Sequence, residues 1–348
     1  MKNLKKKLLK KPKDKKISPD DFLSTGSTLL NLACTDTTYG GLIKGKFHNL
    51  VGDSDTGKSV LAKTILAEAI LNPEFDDYQL IYNNAERALL IPLPILDSNP
   101  RFHIVESNSP EEFYYDLDDR VSKGPIIYIL DSMDSLVAEA AEKKFKKQKT
   151  AHRNQRVETG SYGVDKAKTN AANLNRVCSK LGKNGSILLI ISQTHDNLNA
   201  MLFGPKKTRS GGNALKFYNR WEVWLSVRGK IESTYKDKKI QIGTLTEAKV
   251  QKNHITGKKR KVVIPVYTEH GIDDVGSCID YLVEWKHWKG SKAKVQAPEF
   301  KFSGSKRELI KKIRAKKKRE MKLKRIVGKV WKTVEEKVSV SWKSKYEV

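Results

Sequence analysis

The chain is expected to adopt an α/β fold in which a mostly parallel sheet is flanked by helices and antiparallel strands extend one edge. Three observations lead there. Short apolar runs alternate with segments of helical periodicity, the pattern of strands joined by crossover helices. The runs are nearly continuously apolar, as strands covered on both faces are. The last runs follow one another with no helix between them, which places them antiparallel at an edge.

FHNLVG (47–52) is a strand and LAKTILAEAIL (61–71) the helix after it; YQLIYNN (78–84) and PIIYILDS (125–132) are further strands. NAANLNRVCSKLG (170–182) has helical periodicity and SILLIISQ (186–193) returns to the sheet. RWEVWLSVRG (220–229) and KVVIPVY (261–267) supply the edge. Two stretches read as long loops. The polar, cationic AEKKFKKQKTAHRNQRVETGSYG (141–163) has no clean period, and SQTHDNLNAMLFGPKKTRSGGNALKFY (192–218) holds a glycine-rich loop with three cations before a second apolar segment. A loop of that size inside a compact domain usually carries function. Beyond it, Leu309, Ile313, Leu323, Ile326, Val330 and Val334 recur at roughly helical spacing among lysines, so the C-terminal block forms basic amphipathic helices. The organisation is a lysine-rich arm over 1–20, a core over 21–285 and a basic, mainly helical extension over 286–348, with no internal repeat.

At 348 residues and 38% hydrophobic, the chain can bury a substantial core, which excludes collagenous, disordered and disulfide-stapled classes. The formal net charge of +27 exceeds what solubility needs and attracts polyanions, nucleic acid first and an anionic membrane surface second. Cys34, Cys178 and Cys278 are far apart, without a CxxC pair, which suits a reducing compartment and disfavours thiolate metal sites. His152, His195 and His254 are equally dispersed. The basic N-terminus lacks the apolar core of a secretory signal, and no apolar run approaches the roughly 18 residues that cross a bilayer. A cytoplasmic or nucleoid location is expected, with no membrane partner.

VGDSDTGKSVL places Gly52, Asp53, Ser54, Asp55, Thr56, Gly57, Lys58 and Ser59 in the G-x-x-x-x-G-K-[ST] spacing, after a strand and before a helix. Backbone N–H groups of such a loop curl around a phosphate, the helix N-terminus adds partial positive charge, Lys58 reaches the β/γ oxygens and Ser59 ligates Mg²⁺. ATP and Mg²⁺ are the expected cofactors. Asp131 ends its strand where a carboxylate can hold the Mg²⁺ shell, and Glu86 follows another strand where it can orient the attacking water.

STGSTLLNLA, GLIKGKFHNLVGDSDTGKS, NNAERAL, YILDSMDSL, LLIISQ, FGPKKTRSGGNALKFY and KVQKNH, in this order and spacing, resemble the RecA-family recombinases over about residues 22–285. The resemblance implies a RecA-like P-loop ATPase core that forms helical filaments on single-stranded DNA and exchanges strands with duplex DNA, with single-strand-binding or loading proteins as further partners. It implies that Gln193 senses the γ-phosphate and that residues 194–212 form a DNA loop. In that loop Lys206, Lys207 and Arg209 neutralise phosphates, and Gly211, Gly212 and Asn213 allow close backbone approach. It strengthens Glu86 as the water-orienting residue and matches 141–163, with Arg153 and Arg156, to a first DNA loop. Lys252 falls where the family projects a lysine into the neighbour's ATP site.

The chain also departs from the family. His254 replaces a second lysine, Leu90 and Leu93 stand where adenine usually meets a polar residue and an aromatic ring, the N-terminal arm is short, and the C-terminal region is basic instead of acidic. These departures suggest a divergent, phage-type member. The His254 and adenine-site departures leave room for a mediator ATPase that does not exchange strands; a ring-forming helicase motor, which shares the core and the phosphate loop, is a second alternative, with SGGNALKFY against it. Trp221, Trp224, Trp285 and Trp288 read as packing residues before base-stacking ones.

Overall fold

The structure, a computed structural model, describes residues 18–88, 93–153, 163–196, 207–209, 211–291 and 294–339, side chains excepted at 151–153 and 163–164. One large sheet organises them. Its parallel part comprises β3 (Phe47–Gly52), β4 (Gln79–Asn84), β5 (Phe102–Val105), β6 (Ile126–Asp131), β7 (Ile187–Asp196) and the start of β9 (Trp221–Tyr235). Antiparallel strands β10 (Lys238–Asn253), β11 (Lys261–Tyr267) and β12 (Gly271–Ile272) extend it, giving the order β12-β11-β10-β9-β3-β7-β6-β4-β5. A short β8 (Lys207–Arg209) pairs antiparallel with β7. Outside this sheet, β1 (Phe22–Leu23) pairs with β2 (Leu42–Ile43). The α/β class with its antiparallel edge is as the sequence predicts.

The two-residue period of the strands divides the side chains between two cores. Ile127 and Ile129 of β6 and Ile187, Leu189 and Ile191 of β7 face one core. There they meet α1 (Thr28–Thr35), α2 (Lys58–Ile70) and α8 (Asp274–Glu284). Ile126, Tyr128 and Leu130 of β6 and Leu188 and Ile190 of β7 face the other, against α4 (Pro110–Lys123), α6 (Gly163–Asn184) and α7 (Gly212–Tyr218). The four-residue helix Pro94–Asp97 is α3. Covering on both faces explains why these strands read as unbroken apolar runs.

Three expectations need correction. Residues 141–163 are not simply a loop, because Glu139–Arg153 forms α5 and α6 begins at Gly163. Only Ala138 and Ala141 are buried along the start of α5, so no apolar stripe marks it. Its Ala-, Lys-, Glu- and Gln-rich composition has intrinsic helix propensity, which a search for periodicity passes over. The Lys144–Asp165 ion pair, 2.8 Å, links α5 to α6. Second, the edge strand predicted at 220–229 runs on into a long β9–β10 hairpin, turning at Lys236 and Asp237 with both φ values positive. Its outer part is solvated on both faces, which removes the alternation that identifies a strand.

Third, the extension opens with strands, not helices: β13 (Lys289–Gly290), β14 (Lys294–Ala297) and β15 (Phe302–Ser305) form a small antiparallel sheet. Helices α9 (Lys306–Arg314) and α10 (Lys317–Lys337) follow. Leu309, Ile313 and Leu323 are buried as the helical spacing predicts, and Val327 and Trp331 join them. All five belong to the same core as α1, α2 and α8, and Trp331 Nε1 donates to Asp36 Oδ1 at 3.2 Å. Shared burial should make core and extension unfold together. Trp331→Ala is expected to cost about 3–5 kcal/mol and to shift one common transition in denaturant followed by circular dichroism. A separate early transition for the helices would contradict this.

Candidate nucleotide site and the loop beside it

The parallel register sets the site. Gly52 of β3 lies beside Gln193 of β7, and Asn84 of β4 lies beside Asp131 of β6, so β3, β4 and β6 end at the same rim of the sheet while β7 runs on past it to Asp196. Between Gly52 and α2 the chain must turn sharply. Gly57, with φ 85°, makes the turn and is the N-cap of α2 without any side-chain cap. A Cβ there would approach Val266 Cγ1 to 2.9 Å, so only glycine fits. The uncapped N–H groups of the first turn are an anion site by construction.

A cavity of about 660 Å³ opens over this turn, lined by Ser54, Asp55, Lys58, Ser59, Glu86, Asp131 and Gln193 among others. Lys58 is buried, and its Nζ donates to the Asp53 carbonyl at 2.6 Å. Desolvation lowers its pKa, opposed by the charges of Asp131, Glu86 and Asp53. Tyr82 Oη donates to Asp131 Oδ2, and the Ser59 hydroxyl also bonds this carboxylate. Burial raises the Asp131 carboxyl above its ordinary range, while Ser59, Tyr82 and Lys58 work against that rise. Asp131 Oδ1 is buried with no hydrogen-bond partner. An orphaned carboxylate oxygen next to a serine hydroxyl suits Mg²⁺, a hard cation that takes one or two carboxylates and completes its shell with water and substrate phosphate.

Glu86 is held at the cavity's far side. Ser132 Oγ donates to its Oε1 at 2.7 Å, and Gln193 Nε2 donates to the same oxygen at 2.9 Å. The Gln193 backbone N–H donates to Asp134 Oδ2 at 2.7 Å, which anchors the end of β7. Sequence reasoning missed the opposite wall, where Val227, Lys230, Gln241, Thr244, Val266 and Thr268 come from β9, β10 and the end of β11. No motif marks them, because they reach the cavity through an antiparallel ladder and not through local spacing.

The structure distributes the proposed DNA residues unevenly. Lys206 and Arg156, the side chain of Arg153, and Leu90 lie outside the described residues. Leu93 packs against the larger core. Lys207 Nζ bonds the carboxylate of Asp53 in the phosphate loop. Arg209 turns inward: its Nε donates to Glu222 Oε2 at 2.8 Å, with only 7% and 6% of the two side chains exposed. Glu222 also accepts from Asn219 and Trp224. Burial alone would raise the Glu222 carboxyl, but the Arg209 charge and these hydrogen bonds hold it below the ordinary range. Arg209 is therefore built into the root of α7, not presented to solvent. Gly211 and Gly212 have φ values of 87° and 77°, and a Cβ would meet Leu215 Cδ1 at 2.2 Å or Ala167 Cβ at 2.7 Å. Their freedom closes α7 onto α6, where Asn170 Nδ2 donates to the Gly211 carbonyl at 2.9 Å; Asn213 is exposed.

Lys252 is occupied within its own subunit, donating to the carbonyls of Lys216, Phe217 and Asn219 at the C-terminal end of α7. The charge of Lys252, then desolvation and Arg220, lower the pKa of His254, so this side chain stays neutral at physiological pH. Trp221 and Trp288 are buried packing residues, bonded to the Gly41 carbonyl and to Glu299.

Comparison with known proteins agrees with this architecture. A model of the RecA N-terminal domain matches residues 128–273, from inside β6 to the start of α8. Protein RecA of Helicobacter hepaticus is 27% identical over 277 residues, covering 78% of this chain and 73% of that protein. Protein RecA of Ehrlichia chaffeensis is 28% identical over 271 residues, 76% and 68% of the two chains. The chain is thus similar in sequence to RecA proteins over about three quarters of its length. The matched RecA domain holds Asp131, Gln193, the Gly211–Gly212 pair and Lys252; the phosphate loop precedes it and rests on its own geometry. Among the described residues no helix is long and apolar enough to cross a membrane.

The Arg209–Glu222 pair gives a pH-dependent test. Arg209→Ala leaves a buried, unpaired carboxylate and should cost about 3–5 kcal/mol at neutral pH. Because the folded Glu222 pKa is depressed, the pair's contribution is complete above the unfolded carboxylate value near 4.3. It is lost as pH falls below that value through the folded pKa. Denaturant unfolding of wild type and variant at descending pH should show the gap closing in that acidic window.

Proposed function

We propose that this RecA-like chain is an ATP-dependent DNA recombinase that assembles on single-stranded DNA, hydrolyses ATP in that assembly and pairs the strand with homologous duplex. The observation that carries the reading is the bond between Gln193 and Glu86 over the phosphate loop. Gln193 touches the residue placed to orient water, and it lies on the strand that continues into the β7–β8 pair. A change at the γ-phosphate therefore reaches the loop proposed to hold DNA through one strand end.

Lys58 and the first-turn N–H groups of α2 balance phosphate charge, and Ser59 and Asp131 are the residues that would hold Mg²⁺, which supplies charge neutralisation at the β/γ oxygens when bound. Glu86, fixed by Ser132 and Gln193, accepts a hydrogen bond from the attacking water. Lys252 acts on a neighbouring subunit only after exchanging the three carbonyls it holds at home. Those contacts and the neutral His254 favour, as a second reading, an ATPase that does not exchange strands.

The ATP hydrolysis rate with and without single-stranded DNA, over a range of protein concentrations, separates the two. A rate strongly raised by DNA and steep in protein concentration is expected; a rate indifferent to both favours the second reading. Lys58→Ala should abolish hydrolysis. Glu86→Gln should lower kcat by about 10²–10⁴-fold while triphosphate binding, followed with a fluorescent analogue, persists. Full activity in either variant would remove that residue from the site.

A further inference from the structure

Asp53 opens the phosphate loop, directly after the last residue of β3. Its two polar ends serve different parts of the molecule. The carbonyl accepts from Lys58 Nζ at 2.6 Å and from Thr56 Oγ1 at 2.8 Å, inside the phosphate loop. The carboxylate accepts from Thr194 Oγ1 through Oδ1 and from Lys207 Nζ through Oδ2. Thr194 stands opposite Arg209 and Asp196 opposite Lys207 in the β7–β8 ladder, so one carboxylate ties both strands of that pair to the phosphate loop.

The environment keeps this carboxylate ionised. Its pKa is held below the ordinary range, first by the hydrogen bond from Lys207 and then by that from Thr194. Yet the ion pair is half exposed, 47% for Lys207 and 48% for Asp53. An ion pair at such exposure contributes little net stability and exchanges readily for a stronger anion. A triphosphate in the loop would change both ends of Asp53 at once. It would offer Lys58 phosphate oxygens in place of the Asp53 carbonyl, and it would set further negative charge beside the carboxylate, where like charges repel.

We propose that Asp53 is a positioning residue that couples the two ligands: in the nucleotide-free protein it neutralises Lys207 and tethers β8, and a bound triphosphate releases Lys207 to a nucleic-acid phosphate. This rests on the function proposed above for the phosphate loop and its neighbouring DNA loop. It adds a contact that makes the empty state weak for DNA, distinct from the sensing contact of Gln193. A ligand shifts such an equilibrium only through a difference in interaction between the two states, and the Asp53 carboxylate supplies that difference.

Two measurements test it. The first is binding of a fluorescent oligo-dT with and without Mg²⁺ and ATPγS, at several salt concentrations, for wild type, Asp53→Asn, Lys207→Gln and the double variant. Asp53→Asn should bind oligo-dT roughly three- to tenfold more tightly without nucleotide, with a log–log salt slope steeper by about 0.7, one more phosphate contact on a single strand. The nucleotide-dependent gain should shrink to match, and Lys207→Gln should erase the effect of Asp53→Asn in the double variant. Unchanged nucleotide-free affinity and slope in Asp53→Asn would overturn the proposal. The second measurement needs no DNA: acetylation of Lys207 by an amine-reactive reagent, read by peptide mass spectrometry. Wild type without nucleotide should react slowly, and both ATPγS and Asp53→Asn should speed it. Equal rates in all three would overturn the latch even if DNA binds. If no oligo-dT binds in any state while the lysine rates differ as expected, the latch stands and the recombinase reading fails.

Discussion

The alignment of parallel strand ends is the constraint on which the rest depends. Gly52 beside Gln193 and Asn84 beside Asp131 bring the phosphate loop, the candidate Mg²⁺ carboxylate and the Glu86–Gln193 contact to one rim of the sheet. Ligands of open α/β sheets gather at the carboxyl ends of strands because the side chains leaving several strands converge there while the core below stays closed. A slip of one residue in β7 would turn Gln193 to the opposite face and separate it from Glu86. The two apolar cores that grip β6 and β7 from either side prevent that slip. Stability and chemistry thus share the same register.

Charge is handled differently at the rim and inside. At the rim, Asp53, Lys207 and Glu86 keep exchangeable partners in a partly exposed setting. Inside, Arg209 and Glu222 are shielded from solvent and tie the base of β8 to the start of β9. The Gly211–Gly212 turn docks on α6 beside them through Asn170. A rigid root thus lies beneath partly exposed, exchangeable contacts. The net charge of +27 gives the protein a field that attracts polyanions.

Much of this was legible in the sequence. The α/β class followed from apolar runs alternating with helical periods, and the turn between β3 and α2 from a glycine–lysine spacing between a strand and a helix. Asp131 stood out as the polar end of an apolar strand, and Gln193 as a polar residue just after the apolar run of β7. Helix α5 and the long β9–β10 hairpin were not legible, because neither buries a continuous face and periodicity reports burial. Lys230 and Gln241 escaped for the same reason, entering the cavity from the solvated part of that hairpin.

The sequence by itself determined which groups were available: a glycine–lysine loop of phosphate-binding spacing, carboxylates next to strand ends, and cations concentrated in one loop and the tails. Local spacing sets such features, and they need no partner from elsewhere in the chain. Only the tertiary structure decided how those groups are used. It turned Arg209 inward to Glu222, set Lys207 on Asp53, gave Lys252 three carbonyls of its own subunit and drew Trp331 into the shared core. Each of these pairings, apart from the short span between Arg209 and Glu222, joins residues more than 30 positions apart. Which partner a charged side chain meets depends on distance in space and on the water excluded around it, and neither is written in the order of residues.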